Sequence, residues 1–200
     1  MSGSASVGTT NPSPITEKES LDIYLAKWSP AAPTTSFLEA AVRDAQTAIK
    51  ADPPAMWLGT LAYLAAVEQM GHAICRRTNP RSLQGSRAGF LAACKDFGDS
   101  SLSDANRGIL YDVRCALAHQ YGLTGNAKKF EYTDDVSAAL ISRRNLVTAG
   151  AEARIALPAL WTFVDDMVDL ARTLHASGDV AILSDMTPNQ VKALSFSIYR

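Results

Sequence analysis

The 200-residue chain is poor in cysteine, in long apolar runs and in net charge, and each shortage closes off a class of protein. Its three cysteines, Cys75, Cys94 and Cys115, are odd in number and widely spaced, with no CxxC pair. Neither a disulfide framework nor a zinc site fits that pattern, so reduced thiols in a cytoplasm are expected. No apolar run approaches the roughly 20 residues of a membrane span, so no membrane partner is expected. The opening "MSGSASVGTTNPSP" has neither the basic start nor the apolar stretch of a secretory signal. Its Ser/Gly/Thr/Pro mixture predicts a disordered leader over 1–16, followed by a single domain over 17–200. Lysine and arginine total 19 against 20 aspartates and glutamates, a near balance that argues against bulk nucleic-acid binding. No metal-ligand cluster is evident, so neither a metal nor another cofactor is expected.

Helical periodicity is abundant. "TEKESLDIYLAKW" spaces Leu21, Tyr24, Leu25 and Trp28 three and four apart before "SPAAPTT" breaks the pattern. Ser36 with Glu39 predicts a capping box, and Leu38, Ala41, Val42, Ala45 and Ile49 line the helix behind it. Residues 54 to about 77, starting with Pro54, are apolar on a face broad enough for a central, mostly buried helix. A further helix is expected over 83–96, with Leu83, Phe90, Leu91 and Cys94 as its apolar positions. "DFGDSSLSD" should cap the next, over 103 to about 121. Past Gly122, "KKFEYTD" and "AALISRRNLV" alternate in part and predict a small β-hairpin. A strong stripe from Leu157 to Leu174, with Pro158 at its start, marks another helix, and a short one begins at Thr187 and Pro188. The fold class expected is all-α: an antiparallel helical bundle with a small hairpin inserted after the 103–121 helix.

Charge is unevenly spread. Residues 71–130 hold Arg76, Arg77, Arg81, Arg87, Lys95, Arg107, Arg114, Lys128 and Lys129 against Asp96, Asp99, Asp104 and Asp112. Such a basic middle is either the footprint of a polyanion or a solvated helix face.

Within it, "RCALAHQY" (114–121) places an arginine, a histidine and a tyrosine together. At about 100° per residue, Ile109, Leu110, Val113, Ala116 and Leu117 form the core face of this helix. Arg107, Arg114 and Tyr121, seven apart, stack along one flank, and Asp112 and His119 along the other. Between the flanks, away from the core, runs a ridge of Tyr111, Cys115 and Ala118. Arg114 and His119 therefore diverge within one chain. The small ridge would let the same helix of a second subunit cross by two-fold symmetry, so that the two flanks converge on one cleft. Histidine moves protons near neutral pH, and arginine presents a planar fork to phosphate. On RNA the 2′-OH would attack, with His119 moving a proton and Arg114 stabilising the phosphate charge. The bland alternatives are a histidine binding a carbonyl or capping a turn, as expected for His72 and His175, an arginine covering apolar neighbours, and a packing tyrosine. Cys115 and His119 would also suit a thiolate pair, though no third orienting group is evident.

"LYDVRCALAHQYG" resembles the active-site helix of the HEPN superfamily, whose extended motif R-x4-H-x-Y is matched by Arg114, His119 and Tyr121. The resemblance implies a helical bundle, commonly a homodimer. In catalytic members it implies a metal-independent endoribonuclease of a defence or toxin–antitoxin system, with Arg and His given by both chains. It also implies that Tyr121 is open to nucleotidylation by a partner nucleotidyltransferase antitoxin. Arg114 and His119 are then the expected catalytic pair, with Tyr121, Asp112 and Cys115 accessory and Arg107 and Tyr111 contacting RNA. Many catalytic members carry asparagine or aspartate where Cys115 follows the arginine, and some members are non-catalytic binding or dimerisation modules. A helical interaction protein in which the motif is coincidence is the third reading.

Overall fold

The computed structural model describes residues 14–31, 34–50, 53–120 and 129–197. Thr16 opens α1 (Glu17–Tyr24) with a full capping box, its hydroxyl accepting from the Glu19 N–H while the Glu19 carboxylate takes the Thr16 N–H. The stripe expected to reach Trp28 stops at Leu25. Trp28 lies past the helix, where its N–H donates to Glu39 and the Arg43 guanidinium stacks 3.8 Å over its ring.

Strand β1 (Thr34–Ser36) runs into α2 (Phe37–Ile49). Ser36 caps α2 as expected, but Glu39 does not close the box. Its carboxylate turns instead to the Trp28 N–H and to the Arg172 guanidinium, whose full positive charge adds an attraction that a backbone N–H cannot.

Helix α3 (Pro53–Ala73) is apolar on nearly every side and packs against four other helices, as a central helix must. It stops short of the expected end near residue 77. The Arg81 guanidinium takes the Gly71 and Ile74 carbonyls at 2.9 Å each, and the chain leaves as β2 (Ile74–Arg76). Helices α4 (Ser86–Phe97) and α5 (Asp104–Gln120) follow. Leu83 precedes α4 and is exposed rather than part of its apolar face. The Ser103 hydroxyl and carbonyl receive the first N–H groups of α5.

After α5 the expected hairpin gives way to a sheet. Strands β3 (Lys129–Thr133) and β4 (Ile141–Ser142) form where alternation predicted them, but they do not pair with each other. Strand β5 (Ala151–Ala156) lies between, parallel to β3 and antiparallel to β4. It buries Ala153 and Ile155 while Glu152 stays exposed, supplying an apolar face that a two-stranded hairpin lacks.

Pro158 sits in the first turn of α6 (Leu157–Ala176), starting the helix rather than kinking it. Strand β6 (Val180–Ile182), helix α7 (Pro188–Lys192) and strand β7 (Ser195–Ser197) follow. Strand β6 pairs with β2 and β7 with β1, both antiparallel. The protein is mostly helical, and three small sheets among the described residues correct the all-α expectation. Tyr63, Leu64 and Met70 of α3, Phe90 of α4, Leu110 and Leu117 of α5, and Leu160 and Val164 of α6 meet in one core. Among the described residues, no helix is long and apolar enough to cross a membrane.

Candidate functional site

The core face of helix α5 follows the 100° arithmetic, but the ridge expected to point away from the core does not, since Tyr111 packs against that core. Ile109, Leu110, Val113, Ala116 and Leu117 are buried, and the Tyr111, Cys115 and Ala118 ridge is half-buried. Arg114 stands beside that ridge. Its Nη2 meets Glu68 Oε2 of α3 at 2.6 Å, with the guanidinium side chain 30% exposed and the carboxylate side chain 11%. Arg114 Nε is buried without a hydrogen-bond partner among the described residues.

Glu68 is absent from the sequence reading, yet a signal for it exists. It is the sole Asp, Glu, Lys or Arg in the 21 residues of α3. A lone carboxylate in a central helix must find a cation or carry an uncompensated charge into the core. Sequence alone does not say which of several arginines supplies it.

Tyr111 is held from two sides by α4. Phe90 meets its ring edge-on, with centroids 5.6 Å apart, and the Arg87 guanidinium lies 5.4 Å from the ring centre. Burial pushes the Tyr111 phenol up, and its hydrogen bond with Cys115 and the charge of Glu68 add to the shift. Arg87, half-exposed, also reaches Asp112 at 3.1 Å. Arg87 and Asp112 border a cleft of about 400 Å³ that Asp104, Gly108, Arg143 and Glu152 also line. Arg87 thus joins the α5 surface from a helix that sequence reasoning treated as packing.

The remaining expected residues lie apart from this group or beyond description. Arg107 is buried, its Nη1 on Asp104 at 2.6 Å. That leaves Arg87 and Arg143, rather than Arg107, as the solvent-facing guanidinium groups at this cleft. His119 belongs to the last turn of α5, but its side chain, like the whole of Tyr121, lies outside what the structure describes. His175 binds the Asp22 carboxylate at 2.7 Å rather than a carbonyl. His72 Nε2 is buried with no hydrogen-bond partner among the described residues. The three cysteines are free, and burial pushes the Cys94 thiol up to about 12.

The basic middle is neutralised more than its composition suggests. Arg77, Arg81, Arg87, Arg107 and Arg114 each meet a carboxylate: Glu17, Asp96, Asp112, Asp104 and Glu68 respectively. Two of these acids, Glu17 and Glu68, come from outside the 71–130 segment.

Comparison with protein-family models, with curated proteins and with solved structures finds no match for this chain. Its chemistry has to be argued from its own residues. No group of three or more His, Cys, Asp or Glu side chains among the described residues is placed to hold a metal ion. What α5 offers is a guanidinium anchored from below and half-open above, beside a phenol, a thiol and a small ridge. That arrangement suits binding an oxyanion, because a fixed, pre-oriented donor loses little freedom when the anion arrives.

Proposed function

We propose that the protein is a HEPN-like, metal-independent endoribonuclease whose site is completed when the α5 helices of two subunits cross. The observation that carries this reading is the anchored, half-exposed Arg114 beside the half-buried ridge of Tyr111, Cys115 and Ala118. Arg114 binds the scissile phosphate and stabilises the charge that grows on it. The RNA 2′-oxygen attacks the adjacent phosphorus, the 2′-O–P bond forms and the P–5′-O bond breaks. His119 takes the 2′-hydroxyl proton, and a proton is returned to the leaving 5′-oxygen. In this reading Tyr121, seven residues after Arg114, is the regulatory position, where nucleotidylation by a partner nucleotidyltransferase would add phosphate and bulk.

A second reading has an observation of its own. Glu68 neutralises Arg114, and the residue following Arg114 is a cysteine rather than a polar amide or acid. Both features suit a HEPN-like module that binds or dimerises without cleaving. Incubating RNA with the protein in EDTA separates the two. Cleavage by the wild type that is lost in both Arg114→Ala and His119→Ala supports the enzyme, and an inert, well-folded dimer supports the module.

A further inference from the structure

We propose that Glu68 is a positioning residue for Arg114, fixing one edge of the guanidinium so that its other edge meets a substrate phosphate; this rests on the nuclease reading. Three observations converge on it. Arg114 Nη2 and Glu68 Oε2 form a close ion pair at 2.6 Å. The pair is unequally covered, with Glu68 the deeper partner, so the carboxylate acts as the fixed member and the arginine as the one it holds. Arg114 Nε is buried, which leaves Nη1 and the second Nη2 hydrogen as the donors closest to solvent.

The scaffold around Glu68 is rigid for reasons unconnected with Arg114. Leu64, Val67 and Met70 of α3 are fully buried around it, so the helix that carries the carboxylate has no freedom to shift. Across from it, Val113 and Leu117 fix α5 in the same core. The side chain with latitude is Arg114, long and bordered by solvent. Without Glu68 it would sample several rotamers, and a guanidinium displaced by an ångström loses its hold on a transition state far more than on a ground state. The charge effect opposes the geometric one, since Glu68 also repels an incoming phosphate. The two predict different kinetics. Positioning appears in kcat, whereas simple competition with phosphate appears in KM.

The test uses the full-length chain, a single-stranded RNA oligonucleotide in EDTA, and phenylglyoxal labelling of arginines mapped by mass spectrometry in the absence of RNA. Glu68→Gln keeps the shape and an acceptor oxygen but drops the charge; Glu68→Asp keeps the charge on a shorter stem. In Glu68→Gln, Arg114 labelling should rise several-fold and kcat should fall by about 100-fold with KM little changed. Glu68→Asp should recover part of both. Unchanged labelling and kcat in Glu68→Gln would overturn the role. So would a lower KM at full kcat, which would make Glu68 a competitor of phosphate. A parallel rise in labelling of buried Arg107 would also overturn it, by marking a general loosening of the fold. If the wild type cleaves no RNA, the nuclease reading fails by itself, and the labelling ratio alone decides whether Glu68 holds the guanidinium.

Discussion

Arg81 satisfies the end of α3 from outside the helix. Its guanidinium takes the Gly71 and Ile74 carbonyls and meets Asp96 at 3.3 Å, with both side chains nearly fully covered. Arg81→Ala strands two carbonyls and a buried carboxylate together, so urea denaturation should show a loss of about 3–5 kcal/mol. Asp22 gives a milder, pH-dependent contribution. Its carboxyl is held below the ordinary range first by the hydrogen bond from His175 and then by Lys18. A carboxyl whose folded pKa is depressed stabilises the protein above its unfolded value, near pH 4, and that share fades as pH falls through the lower folded pKa. Thermal melts between pH 5 and 2 should therefore fall less steeply in Asp22→Asn than in the wild type. At this scale the sequence is uneven. The faces of α5 follow from spacing, because helix geometry is local. The Glu68–Arg114 pair does not, because it joins two helices whose crossing no spacing rule encodes.

Among the elements, α3 and α4 meet at glycines. A Cβ on Gly71 would stand 2.1 Å from the Gly89 carbonyl oxygen, and one on Gly89 would stand 2.7 Å from the His72 ring. The contact at Gly71 is backbone, which no side-chain adjustment relieves. Gly71→Ala should cost about 3 kcal/mol in chemical denaturation, the upper part of the ordinary overpacking range, by forcing the helices apart. Helix existence and most starts were legible: Ser36, Ser103, Pro158 and Thr187 all start helices as their chemistry predicts, while α1 and α3 end earlier than their stripes suggested. Strands β3 and β4 were legible as well, but the other strands were not. Strands β1, β2, β6 and β7 are three residues each, too short for alternation to register, and they exist because distant partners lie alongside. Strand β5 is masked by alanine, a residue whose preference is helical.

For the whole molecule, the proposed assembly gives the sharpest prediction. The ridge of α5 is narrow at Cys115 and Ala118, so a second α5 can approach closely there. Sedimentation velocity should find the wild type dimeric at micromolar concentration and Ala118→Arg folded but monomeric, because a long cation has no partner at such a crossing. A monomeric wild type would remove the basis for a shared site. The pairing of the middle arginines with acids bears on this scale too. It confines any field able to draw RNA to small local surfaces, and it makes composition a poor guide to potential.

The first helix and the last strands are held to each other. Glu17 of α1 accepts the Ile182 N–H from 165 residues away, Ser20 donates to the Pro188 carbonyl, and β1 pairs with β7. During synthesis at roughly 5–20 residues per second, these 165 residues take about 8 to 33 s to appear. For all that time α1 is too short to persist alone and has only its nearer partners, β1, α2 and Arg77, without β6 and α7. Helix α1 is thus fully secured only late, which leaves Leu21, Tyr24 and Leu25 open to chaperones and proteases until β6 and α7 emerge.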